Sequence, residues 1–273
     1  MERIYNISDD IKRELLDFLY QDEVMNLFLI HYIENQPEAL SELYVSKNEG
    51  KISEVVHIKN DGNSYFTSFY CSSVEGLNNI SKLIKNIHYE DILLAGKAEE
   101  VECIQKNLKI DKKIYLNNYY MFDVNKDINI DGNGLYIFRR ATTLSKDIEK
   151  LKKFLVGFFE AEKKEDIEKI TSDKKINEEM KNGVYFLEIE NEIVGMARYF
   201  GQSNRYIDIT TLYIDEQYRN RGYGSLFMRL MVKEAFRNNK IPITQTALSN
   251  IAARRIYEDM GFIKICDYTF QLI

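Results

Sequence analysis

The chain has 273 residues, 45% of them hydrophobic, so it can bury sizeable cores, and at about 100–200 residues per domain its length favours two domains. A net charge of −6 and a pI near 5.4 argue against nucleic acid or an anionic membrane as the main partner. Cys71, Cys103 and Cys266 lack the spacing of a zinc site or disulfide framework, the opening MERIYNISDD is charged where a secretion signal is apolar, and no apolar run reaches about 18 residues. The expectation is a cytoplasmic protein with no metal.

Residues 11–20 and 23–34 carry apolar side chains at helical spacing, and Pro37 ends the second helix. Strands are expected over 39–46, 52–59 and 65–70, separated by Asn-Glu-Gly and Asp-Gly turn signals. Helices over 77–87 and 97–108 then alternate with strands over 92–95 and 114–124, giving the order ααβββαβαβ. A polar stretch rich in Gly, Asn and Asp, 126–134, reads as a linker.

After the linker the order repeats. A strand over 135–140 precedes helices over 144–159 and 172–181, and strands over 184–190 and 193–200 form a hairpin across Asn191 and Glu192. In the next strand, Ile207 and Ile209 alternate on one face, but Leu212 and Ile214 continue one residue out of phase. A one-residue slip turns every side chain over, so a bulge at Thr210 and Thr211 is expected to keep all four on the core side.

Next come Arg219-Asn220-Arg221-Gly222-Tyr223-Gly224-Ser225 and a helix in which Phe227, Met228, Met231, Val232, Ala235 and Phe236 form an apolar stripe. A helix start leaves unpaired N–H groups and partial positive charge, glycines admit a ligand to the backbone, and arginines bond phosphate oxygens. The loop fits a pyrophosphate. It has neither the Walker nor the dinucleotide-binding spacing. A strand over 241–248 leads to Ser249-Asn250, an N-cap signal for a helix bearing Ala253, Ile256, Tyr257 and Met260 on one stripe; Gly261 stops that helix and a last strand follows.

The R-x-x-G-x-G loop and the S-N-x-x-A-x-x-x-Y-x-x-x-G-F order, together spanning residues 206–262, closely resemble the acyl-CoA motifs of the GNAT N-acetyltransferase superfamily. The resemblance implies an α/β (α+β) fold class: two tandem GNAT-like domains, each a mixed, mostly antiparallel twisted sheet flanked by helices. It implies acetyl-CoA as co-substrate, with backbone groups of Leu212, Tyr213 and Ile214 pairing with pantetheine. Arg219, Asn220, Arg221, Gly222, Tyr223, Gly224 and Ser225 would take the pyrophosphate, and Asn250 the pantetheine arm. Tyr257 would donate to the thioester sulfur. Asp208, eleven residues before Arg219, lies where several members carry a glutamate base. Arg198, Tyr199 and Tyr206 are placed on the acceptor side.

Residues 132–273 are thus expected to be the catalytic domain. In residues 1–128 the matching loop, Cys71-Ser-Ser-Val-Glu-Gly76, lacks both arginines and brings Glu75 to the phosphate position, so this half is expected to be degenerate. The implied acceptor is a small-molecule or peptide amine, attacked directly in a ternary complex, with a homodimer an open expectation. The residues also leave open an acyl-CoA sensor or assembly module without turnover, and transfer of a longer acyl group.

Overall fold

Among the described residues, four helix starts carry a side-chain cap, among them the one expected at Asn250. Ser8, Ser73, Ser172 and Asn250 each accept a backbone N–H of the first helical turn, satisfying one of the donors a helix leaves unpaired. The computed structural model describes residues 1–37, 40, 42–60, 64–130 and 135–273. The expected start of the first strand at Ala39 and the linker residues 131–134 lie outside the described residues.

The first half comprises β1 (Glu2–Ile4), α1 (Asp9–Leu19), α2 (Leu27–Asn35), β2 (Glu42–Asn48), β3 (Lys51–Asn60), β4 (Tyr65–Cys71), α3 (Val74–Asn86), β5 (Ile92–Lys97), α4 (Ala98–Leu108) and β6 (Asn117–Phe122). The second comprises β7 (Tyr136–Arg140), α5 (Ser145–Phe158), α6 (Lys164–Ile170), α7 (Asp173–Asn182), β8 (Val184–Ile189), β9 (Glu192–Gln202), β10 (Tyr206–Ile214), α8 (Tyr223–Arg237), β11 (Ile241–Ala247), α9 (Ile251–Met260) and β12 (Phe262–Leu272). Two of these were not expected. β1 is too short to display a period, and α6 buries no residue, so no apolar stripe marks it. β6 is shorter than the tyrosine-rich run suggested.

Among the described residues the strands form one sheet, in the order β1-β2-β3-β4-β5-β12-β6-β11-β10-β9-β8-β7. The last strand of each half lies inside the sheet of the other. β6 runs between β11 and β12, and β12 between β5 and β6. The length of β12 permits this: Phe262–Tyr268 pairs with β6, and Tyr268–Leu272 pairs with β5.

Side chains alternate across this sheet into opposite layers. Helices α3, α4, α8 and α9 cover one face: Val56 and Leu94 pack beneath α3 and α4, and Ile207, Ile209, Tyr120 and Phe262 beneath α8 and α9. Helices α1, α2, α5 and α7 cover the other. At the junction, Leu27 of α2 sits in a cluster with Ala95, Tyr119, Tyr206, Ile243 and Tyr268, drawn from both halves.

A buried carboxylate reinforces the junction. Glu23 of the first half accepts from Ser203 Oγ at 2.8 Å, Arg205 N at 2.8 Å and Arg205 Nε at 2.7 Å. Burial opposes its charge, but these donors outweigh burial and hold its pKa below the usual value. No helix among the described residues is long and apolar enough to cross a membrane.

Because each half completes the other's sheet, unfolding should be one cooperative event. Calorimetry of the whole chain should give a single transition whose van't Hoff and calorimetric enthalpies agree. Two resolved transitions would contradict the coupling.

Candidate active site

The site begins where two strands part. β10 and β11 run parallel and pair at only three positions, Tyr206–Ile241, Ile207–Pro242 and Asp208–Ile243. Beyond these, β10 stays with β9 while β11 stays with β6. The expected bulge is present, with a register shift between Thr210 and Tyr213. It puts Thr211 at φ 53°, an uncommon conformation for a β-branched residue. Thr211 Oγ1 accepts from Arg198 Nε at 2.8 Å, which helps to hold it there. Ile207, Ile209 and Ile214 are buried under α8, with Leu212 packed against them.

Asp215 N–H donates to the Val194 carbonyl of β9. Backbone groups alternate in direction along a strand, so those of Ile214 and Leu212 face the opening. The Ile214 carbonyl already accepts from Arg219 Nε at 3.1 Å, leaving its N–H available. By the same alternation the Tyr213 backbone faces β9, and its ring lies on the opposite face of the sheet from α8, its centroid 5.7 Å from that of Phe154 and its hydroxyl against Gly157.

Helix α8 starts at the mouth of this opening. Gly222 is its N-cap at φ 80° and supplies no side-chain cap. A Cβ placed on Gly222 would meet no atom within 4 Å, and one on Gly224 only ordinary contacts with Ile256 and Ile214. Asn220 is also left-handed, at φ 61°, which turns the loop back toward the helix. Arg221 is exposed, its guanidinium 5.7 Å from the Tyr218 ring centroid, and Arg219 lies 5.3 Å from that of Tyr213. The N–H groups of Tyr223, Gly224 and Ser225 precede the first intrahelical bond, Leu226 N to Gly222 O. Free N–H groups, helix dipole and arginines form an anion site with open access.

Across the opening, Asn250 Oδ1 caps α9 by accepting from Ala253 N at 3.1 Å, so its carboxamide N–H groups are the part left for a ligand. Tyr257 is buried on α9 in contact with Thr244 of β11, whose hydroxyl donates to the Ile209 carbonyl at 2.9 Å. Burial raises the phenol pKa, and the nearby Asp208 and Tyr120 add to this, so Tyr257 is protonated at neutral pH.

Asp208 lies on the face of β10 opposite to Ile207 and Ile209. It is 1% exposed, because α2 of the first half covers that side. Its Oδ1 has no hydrogen-bond partner among the described residues. Burial pushes its pKa up to about 8, with Arg198 acting in the opposite direction. Pleating puts Gln245 of β11 on the same face, paired with Tyr119 of β6, and its Oε1 is also buried without a partner. In the sequence, Gln245 could have been found as the one polar residue alternating with Ile241 and Ile243.

The Acetyltransferase (GNAT) family model matches residues 148–262, which include the parted strands, glycine loop and Tyr257 helix. Residues 148–262 form a GNAT domain. A tandem GNAT protein from the clavulanic acid biosynthesis pathway superposes with TM-score 0.70 at 12% identity, covering 100% of this chain and 98% of that one. A Drosophila protein gives TM-score 0.68 at 14% identity, with 99% and 98% covered, and a GNAT-family acetyltransferase from Colwellia psychrerythraea gives 0.59 at 13%, with 99% of each covered. No curated protein matches the chain in sequence. The tandem GNAT fold therefore spans both halves.

The GNAT domain's opening has a counterpart in the first half, and there it is filled. β4 and β5 pair in parallel over Tyr65–Ser68 and Ile92–Ala95 and then diverge. The Phe69 ring lies 2.8 Å from where a Cβ on Gly96 would be. Helix α3 is capped by its own Ser73, whose Oγ accepts from Gly76 N at 3.2 Å, and Gly76 is crowded by Cys71 and Glu54. Ile104 takes the seventh place of α4, as Tyr257 takes the seventh of α9.

Of the residues assigned to the acceptor side, Arg198 is tied to Glu179 at 2.7 Å, while Tyr206 shares the junction cluster. Tyr199 is on the other face, its hydroxyl donating to the Met231 carbonyl of α8. Strand alternation sends it there, opposite to Arg198.

The raised pKa of Asp208 has a thermodynamic signature. The folded state holds this proton more tightly than the unfolded chain, so the associated stability is full below about pH 4 and is lost as pH rises to about 8. Asp208→Asn removes that loss. Its melting temperature relative to the parent should climb between about pH 5 and 8; a constant difference would count against a buried, protonated Asp208.

Proposed function

We propose that the second half transfers an acetyl group from acetyl-CoA to a primary amine by direct attack, and that the first half is a degenerate partner domain without a CoA site. The observation that carries the reading is the opening between β10 and β11, with an uncapped helix N-terminus at one end and the buried Tyr257 phenol beside it. Pyrophosphate would rest on the N–H groups of α8 and the two arginines, and pantetheine would run along Leu212 and Ile214 as an added strand.

In the reaction the amine lone pair attacks the thioester carbonyl carbon. The carbonyl π electrons move to oxygen, and return as the C–S bond breaks with its electron pair passing to sulfur. Tyr257 hydrogen-bonds the departing sulfur and gives up its proton, later replaced from solvent. Asp208, in its ionised form, takes the proton released by nitrogen. With a pKa near 8 this base is active toward the alkaline side, so turnover should rise with pH through about 8. Closeness of the reacting groups supplies the rest.

Three variants test the reading on the whole chain, with thiol release from acetyl-CoA as the assay. Gly222→Val places a β-branched side chain in the ligand's space at positive φ and should abolish the thermal shift that saturating acetyl-CoA produces. Without a shift in the parent protein, the acyl-CoA site itself would be refuted. Tyr257→Phe should lower turnover about 10- to 100-fold with acetyl-CoA affinity unchanged. Asp208→Asn should lower it about 10²- to 10⁴-fold and flatten the pH profile. Acetyl-CoA binding with no thiol release for any primary amine would favour a sensor.

A further inference from the structure

We propose that Tyr120, a residue of the first half, is a positioning residue for Tyr257. The inference rests on the donor role given to Tyr257 above. Strand β6 brings Tyr120 into the second half's sheet, paired with Thr244 on one side and Lys264 on the other. Thr244 is the residue the Tyr257 phenol touches. Tyr120 therefore stands beside the donor's contact on the same face.

The contacts fix the Tyr257 ring and the helix that bears it. The Tyr120 ring is edge-on to Tyr257, with centroids 5.6 Å apart at 72°, and Phe262 flanks Tyr257 at the same 5.6 Å. The Tyr120 hydroxyl donates to Glu258 Oε1 at 2.8 Å, on the residue next to Tyr257, and accepts from Asn118 Nδ2 at 3.0 Å. Tyr120 itself is fully buried, and its hydroxyl links Asn118 of its own strand to Glu258 on the outer side of α9.

The bond matters because α9 is lightly anchored. Of its ten residues only Tyr257 and Met260 are buried. A small rotation of the helix about its axis carries the Tyr257 hydroxyl, at the end of a long side chain, by about 1 Å, enough to cost of order 10²-fold in a reaction that depends on alignment. The Tyr120–Glu258 bond opposes that rotation. One half thus aims the proton donor of the other.

A double-mutant cycle tests this in the whole chain, reading thiol release from acetyl-CoA with glycinamide as acceptor. Tyr120→Phe keeps the ring and removes the hydroxyl. It should lower kcat about tenfold, leave the KM for acetyl-CoA unchanged and preserve the acetyl-CoA thermal shift. Glu258→Ala, at an exposed helix position, should reproduce the loss. In a Tyr257→Phe background, neither change should lower kcat further.

An equal loss in both backgrounds would assign Tyr120 a structural part only and overturn the proposal. Full activity of Tyr120→Phe beside a damaged Tyr257→Phe would also overturn it while leaving the donor role intact. Full activity of Tyr257→Phe, or no thiol release by the parent protein with any primary amine, would remove the underlying donor role and this proposal with it.

Discussion

Backbone hydrogen bonds between β10 and β11 stop after three residue pairs, and the rest of the site depends on that stop. Unpaired strand edges are costly inside a sheet, so each strand must be held by its other neighbour. β9 holds β10, and the bulge at Thr211 bends it away. β6 holds β11 over Ile243–Ala247. Since β6 belongs to the first half, the opening is braced by both halves of the chain. The strain of a left-handed threonine is accepted where it exposes the backbone groups of Leu212 and Ile214.

The two halves meet one geometric problem with different side chains. In each, a parallel pair diverges beside a helix start. In the second half Gly222 leaves that start uncapped, with open space before it. In the first, Ser73 satisfies the helix, Phe69 fills the gap, and Ile104 stands in the place of a phenol. The same backbone thus supports an open cleft or a packed wall. Side chains, not topology, decide which. A different part of the first half bears on the opening: α2 packs on the sheet face that carries Asp208, and burial there raises its pKa.

Much of the second half was legible because its signals are local. The phase break between Ile209 and Leu212 marked the bulge, Gly222 and Gly224 marked an open helix start, and Asn250 marked the cap of α9. What could not be read was long-range. The strand order ααβββαβαβ is the same whether each half closes its own sheet or lends its last strand to the other, so the exchange of β6 and β12 leaves no local trace. The burial of Asp208 depends on α2, which lies far away in sequence, and hydrophobic alternation within β10 cannot report it. Tyr120 looked like one of several tyrosines in a strand, and its bond to Glu258 exists only because β6 crosses into the second half. Short or wholly exposed elements such as β1 and α6 carry too few apolar positions to register as periodic.

The sharing of β12 has a consequence for synthesis. A ribosome delivers the chain from its amino end, so β5 and β6 emerge well before the strand that will lie between them. Until residues 262–272 are made, the first half exposes two sheet edges, each able to pair with the wrong strand, including the equivalent strand of a neighbouring nascent chain. Folding on the ribosome cannot finish domain by domain. The protein must wait for its last strand, and at high expression that interval is when exchange between copies competes with exchange within one.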